Sequence, residues 1–242
     1  MIGWALMVME RLEPKLIPVL EEKYGPHWWP ADMYPQDSSS SPFKHLVITV
    51  LSQNTSETNC IRAYKGLAAK FAITPEVLAS ANQEEIKNAI RSGGLYNVKS
   101  KRIKELSKTV LEKFHGDLAP VLSLPKEEAK RHLIELPGIG DKTADVLLTS
   151  RYGYREVLPI DTHYDRLAKR LGLVGNAAQY QEIQAALFAF VADCDKRDRV
   201  AGLLWLLAKH TCKAQRPGCY ECPIIDMCGY EEKSLGPRCA RT

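Results

Sequence analysis

Apolar residues recur along this chain at intervals of three and four, the spacing that lines one face of an α-helix. Between positions 99 and 114 they stand at Ile103, Leu106, Val110, Leu111 and Phe114, and Gly116 follows as a stop. Ile86 and Ile90 share a face that ends at Gly93 and Gly94. The same periodicity predicts helices over 126–136, 142–149, 162–171, 181–194 and 200–210. One run, LVITVL at 46–51, has the length of a strand or of a buried helical segment; among helical neighbours it is expected to be helix. The first 25 residues, whose apolar positions are interrupted by Glu10 and Arg11, predict a packed amphipathic helix. The expected fold class is all-α.

Punctuation organises these elements. Residues 25–42 collect Pro, Ser and Trp and read as a linker entering a domain. A second break comes at Tyr152-Gly153-Tyr154, ahead of a short connection to Asp161. No internal repeat is present, and the only low-complexity tract is the serine run at 38–41.

With 242 residues the chain suffices for one large domain or two modest ones. Its 45% hydrophobic and 26% charged content is that of an ordinary globular protein. A net charge of +4 permits an anionic partner without requiring one. No apolar run is long enough to span a membrane, and the N-terminus lacks the basic region and cleavage site of a signal peptide. A reducing location is therefore expected, where the seven cysteines are not expected to form disulfides.

Three stretches carry chemistry. The first is LPGIGDKTADV at 136–146. It is not a nucleotide-binding P-loop: the glycine spacing is wrong, and a helix rather than a strand precedes it. Pro137 stops the preceding helix and the glycines permit a tight turn. Amides at the start of the next helix, with the positive end of its dipole, form an anion site suited to a backbone phosphate. The plainer reading is a structural turn with Lys142 in solvent. Lys142 can equally be a phosphate contact or a nucleophile. A helix start favours the neutral amine that attack requires, whereas neighbouring Asp141 favours the charged form.

The second stretch is LPIDTHYDRLAKRL. Asp161 precedes a helix and reads as its N-cap, a role compatible with a carboxylate held ionised at a pocket wall to stabilise a sugar cation. The third is CKAQRPGCYECPIIDMC: Cys212, Cys219, Cys222 and Cys228, spaced C-x6-C-x2-C-x5-C. Four thiolates at this spacing suit a [4Fe–4S] cluster or zinc, and one short hook flanked by single cysteines favours the cluster. Cys60, Cys194 and Cys239 stand apart as core or tail residues.

Together LPGIGDKTA, IDTH and the cysteine spacing, with LSQNT at 51–55 and GLYNVK at 94–99, resemble the helix–hairpin–helix DNA glycosylases, specifically the endonuclease III family. The likeness runs from about Phe43 to Cys228. It implies that Lys142 is a nucleophile and Asp161 a catalytic aspartate. It implies that the turn Leu136, Gly138, Ile139 and Gly140, with Thr143, binds DNA phosphate. Gln53 and Leu95 correspond to residues that enter the duplex, and the four cysteines to the ligands of a [4Fe–4S] cluster that shapes a DNA-binding loop.

The resemblance further implies two helical domains with a DNA-binding cleft between them. A six-helix unit at 36–154 carries the hairpin, and residues 1–35 plus 155–242 form a discontinuous second domain. The expected protein is a bifunctional glycosylase and abasic-site lyase acting on oxidised pyrimidines in duplex DNA. It would be a monomer with no membrane association, in the cytoplasm of a prokaryote and associated with the nucleoid. The alternatives are a glycosylase of different base choice, for mismatched thymine or uracil or an oxidised purine, and a non-catalytic DNA-binding module. Two departures from the family pattern, Asp141 beside the lysine and the segment QNTSETN, bear on base preference.

Overall fold

A computed structural model describes residues 11–28, 34–153, 156–192 and 194–234. Among the described residues there are twelve α-helices and no strand. No helix among them is long and apolar enough to cross a membrane. The chain divides into two compact units, Met1–Trp29 with Gly153–Thr242, and Pro30–Tyr152. Helix α1 (Ile17–Tyr24) belongs to the first unit. The second holds α2 (Pro42–Ser52), α3 (Glu57–Lys70), α4 (Pro75–Ser80), α5 (Gln83–Ala89), α6 (Tyr96–Phe114), α7 (Ala119–Leu122), α8 (Lys126–Ile134) and α9 (Asp141–Tyr152). The chain then returns to the first unit with α10 (Thr162–Leu171), α11 (Tyr180–Phe190) and α12 (Arg197–His210).

In the 30–152 unit the ambiguous LVITVL run is helical. It forms most of α2, and Leu46, Val47, Val50 and Leu51 are wholly buried. A helix apolar on every side belongs in a core, which is why the run lacks an amphipathic period. Short polar side chains start the helices around it. Ser41 accepts from the Lys44 amide at 3.2 Å, Ser56 from Asn59 at 3.3 Å and Asn82 from Glu84 at 2.8 Å. Such caps satisfy first-turn donors and stabilise by about 1 kcal/mol each. Helices α3 and α5 approach closely at Gly66, where a β-carbon would lie 2.4 Å from the Ala89 carbonyl oxygen.

In the other unit, Leu20 and Tyr24 of α1 pack with Leu167, Phe190, Leu203, Leu204 and Leu207. The Tyr24 hydroxyl donates to Thr211 Oγ1 at 2.7 Å, and burial raises its pKa well above the ordinary phenol value. Arg199 pairs with Glu21 and lies 3.7 Å from the centre of the Trp28 ring, whose far edge lies against Gly202. The stretch from Leu20 to Trp28 is thus welded to helices that follow it by well over a hundred positions.

Among the described residues, two helix boundaries depart from the periodic reading by four residues or more. The first α-helix described begins at Ile17, because Pro14 opens a 3-10 turn and Pro18 sits where a missing N–H costs nothing; the part of the expected helix at 1–10 lies outside the described residues. Helix α11 ends at Phe190 instead of continuing to 194. There Arg197 donates to the Ala192 carbonyl from Nε at 3.0 Å, satisfying an acceptor just beyond the end of the helix.

Gly66→Ala sets a methyl against a backbone carbonyl that has no rotamer to escape into. The urea unfolding midpoint is expected to fall by the equivalent of about 1–3 kcal/mol.

Candidate active site

The hairpin occupies the join of α8 and α9. Pro137 follows the end of α8, and Gly138 takes φ +75°, a left-handed conformation that glycine adopts without strain. Leu136 and Ile139 bury their side chains and turn their N–H groups inward, to Leu133 O and Leu136 O, both at 3.1 Å. They anchor the turn, and the backbone it offers outward is that of the exposed Gly138 and Gly140. The Gly140 carbonyl accepts from Thr143 and Ala144, both at 3.0 Å, which starts α9. Thr143 is buried, and Lys142 stands half-buried in the first turn.

Asp141, anomalous in the sequence, has a definite partner. Lys130 of α8 lies 3.2 Å from Asp141 and 3.0 Å from the buried Asp145, so one ammonium bridges two acids across the hairpin. Asp141 also sits at the positive end of α9, where a carboxylate is favoured. Its charge is committed to holding the turn.

Gln53 and Leu95 stand on neighbouring loops of the same unit. Gln53 caps the C-terminus of α2, followed by Asn54 at φ +51°. Leu95 precedes α6 at φ +45° and is 54% exposed, a leucine in a left-handed conformation that costs about 1–2 kcal/mol. Strain of this kind persists where the surroundings over-determine it. The residue that does so is Lys99, only 2% exposed, whose ammonium donates to the carbonyls of Leu51 at 2.7 Å and Gly93 at 2.8 Å. Burial lowers its pKa from the ordinary lysine value. Arg102, one turn further along α6, donates to Gln53 Oε1 at 2.5 Å while its side chain lies against Gly138. Sequence reasoning missed both as functional supports. The signal available was their spacing on the face of α6 behind Leu95.

Asp161 lies in the other unit. Its Oδ1 accepts from the His163 and Tyr164 amides at 2.9 and 3.1 Å, capping α10, and its Oδ2 accepts from the Trp205 indole at 2.7 Å. The later turns of α10 hold the cysteine loop. Arg166 donates to the Cys212 carbonyl at 2.8 Å, and Arg170 donates to the Lys213 and Ala214 carbonyls at 2.7 and 3.1 Å. Arg170 also reaches Cys212 Sγ at 3.4 Å, while the Cys228 thiol donates to the Arg170 carbonyl at 3.3 Å.

All four loop cysteines are free thiols; Cys212, Cys222 and Cys228 pack beside the Leu20–Leu207 core, Cys219 is buried, and burial pushes the Cys222 thiol up to about 11. Among the described residues no group of three or more His, Cys, Asp or Glu has the arrangement of a metal-ion site. Cys60 and Cys194 are buried core residues, and Cys239 lies outside the described residues.

This helical scaffold is shared with known repair proteins. Residues 47–192 match the family described as HhH-GPD superfamily base excision DNA repair protein. The chain is 32% identical to endonuclease III of Bacillus subtilis over 84% of its own length and 89% of the relative. It is 33% identical to endonuclease III of Thermotoga maritima over 79% and 84%, and 31% identical to that of Escherichia coli over 80% and 86%. A structure of a trapped endonuclease III–DNA covalent intermediate, an estranged-adenine complex, superposes with a TM-score of 0.70 at 25% identity, covering 88% of this chain and 92% of that one. A non-covalent endonuclease III–DNA complex gives 0.68 at 26% identity over 90% and 95%. A thermostable thymine-DNA glycosylase shares the fold, with a TM-score of 0.64 at 19% identity over 83% and 89%.

The protein is therefore a DNA glycosylase, an enzyme of base excision repair. Within that superfamily the chain belongs to the endonuclease III family.

Replacing Lys99 by methionine keeps the packing and strips two buried carbonyls of their donor. Stability is expected to fall by about 1–3 kcal/mol. Amide exchange should accelerate at 51–55 and 93–96 before it changes elsewhere.

Proposed function

We propose that this enzyme is a bifunctional glycosylase and abasic-site lyase that removes oxidised pyrimidines of the thymine glycol type from duplex DNA. The observation that carries the reading is a lysine, Lys142, in the first turn of α9 directly behind the exposed glycine turn. A phosphate held by the turn would bring the sugar of the same nucleotide within reach of that amine.

A base inside a duplex is inaccessible, so the damaged nucleotide must leave the stack at a cost of a few kcal/mol. Gln53 and the exposed Leu95 fill the vacated space and offset part of that cost. The neutral Lys142 amine attacks C1′ and the base departs with the bonding electrons, taking up a proton. The Asp161 carboxylate stabilises positive charge as it develops on the sugar. Loss of the remaining amine proton and opening of the ring leave a Schiff base between Lys142 and C1′. This imine acidifies the 2′ protons; removing one expels the 3′ phosphate and cuts the strand. Lyase activity follows from using an amine, not water, as nucleophile.

The donor set of the 212–228 loop fits a thiolate-bound [4Fe–4S] cluster: four free cysteines, soft ligands, three of them packed against an apolar core. Cys212, Cys219, Cys222 and Cys228 would hold it. Its contribution is structural, fixing a loop that α10 already grips from one side.

Borohydride added during incubation with a thymine glycol duplex is expected to trap a covalent adduct with the wild type and none with Lys142→Ala. Asp161→Asn is expected to slow base release by about 10²-fold or more. Full trapping by Lys142→Ala would sink the mechanism. Purified protein is expected to be brown and to carry about four irons per chain, and replacement of any one of the four cysteines by serine should reduce both colour and iron.

A further inference from the structure

Helix capping requires only one oxygen of Asp161, and Oδ1 supplies it through the His163 and Tyr164 amides. The second oxygen is also held, by the Trp205 indole N–H at 2.7 Å. A cap held by one oxygen leaves the carboxylate free to rock about its Cβ–Cγ bond; one gripped at both oxygens has a fixed plane.

Trp205 is itself immobilised. It is half-buried on α12, packed against both apolar cores of its unit. The His163 ring lies 5.1 Å away at 57°, and the Lys209 ammonium sits 4.9 Å from the indole centre. The neighbouring Tyr164 hydroxyl donates to the Ala201 carbonyl at 2.8 Å, so the first turn of α10 is tied to α12 at two points. His163 in turn contacts Arg166 at 3.1 Å, and that guanidinium is held by the Ala208 and Cys212 carbonyls.

The chemistry of the donor matters. An arginine or lysine in this place would orient Asp161 but offset its negative charge, the property a developing sugar cation needs. An indole N–H orients without carrying a charge.

We infer that Trp205 is a positioning residue for base release, fixing the plane of the Asp161 carboxylate while leaving its charge available. The inference rests on the reading of Asp161 as the catalytic aspartate.

Trp205→Phe keeps an aromatic ring and removes the N–H. Single-turnover release of thymine glycol from a duplex is expected to slow about tenfold, with affinity for a duplex carrying a tetrahydrofuran abasic analogue within about twofold; the smaller ring lowers the unfolding midpoint, but the variant stays fully folded at the assay temperature. In an Asp161→Asn background, followed over long incubations, the same substitution should slow release no further, since the residue acts only through that carboxylate. A full rate in Trp205→Phe alone, a loss matched by an equal loss of affinity, or losses that multiply in the double variant would each overturn the assignment. Undiminished release by Asp161→Asn, or no release by the wild type, would instead remove the reading on which the inference stands.

Discussion

A buried ammonium governs the part of the 30–152 unit that carries Gln53 and Leu95. Lys99 is almost wholly removed from water, and an unpaired charge there would cost several kcal/mol. It is tolerated because two carbonyls, at the end of α2 and at the Gly93 turn, converge on it. Satisfying one group satisfies all three, so the two loops are positioned by a single atom. The strained Leu95 follows from that constraint. Only Gly94 and Leu95 separate the held Gly93 from the start of α6, and both take positive φ.

Other cations repeat the device at other joins. Lys130 ties α8 to α9 through two aspartates, Arg102 links Gln53 to the hairpin glycine, and Arg199 fastens α1 and Trp28 to α12. A net charge of +4 invites the inference of a surface built for polyanions. Several of those positive charges instead face inward, onto carbonyls and carboxylates of the fold. The charge left to attract a phosphate backbone is set by location as well as by count.

Helix α10 joins the two candidate functions of its unit. Its N-terminus is capped by Asp161, and its last turns hold the carbonyls at 212–214 through Arg166 and Arg170. The carboxylate and the first arginine that grips the cysteine loop are thus borne by one short helix. The apolar side of the same helix, Tyr164, Leu167, Ala168 and Leu171, is buried, so neither end can shift independently of the core.

What could be read from the chain alone was local physics. Helical periods, glycines where a turn needs positive φ, a proline ending α8, an aspartate before α10 and the cysteine spacing all express themselves within a few residues. They were enough for the helical class, for reading Asp161 as a cap and for grouping the four cysteines as ligands; what singled out Lys142 as a nucleophile was the resemblance of several such stretches together to one family. Asp141 was legible as an oddity but not explained, since its partner Lys130 sits on the preceding helix. Tertiary structure alone decided which polar groups meet across long separations: Lys99 with Leu51, Arg102 with Gln53, Trp205 with Asp161. Such pairs leave no periodic trace, because a hydrogen bond between distant residues depends on how helices pack and not on the intervals between their residues.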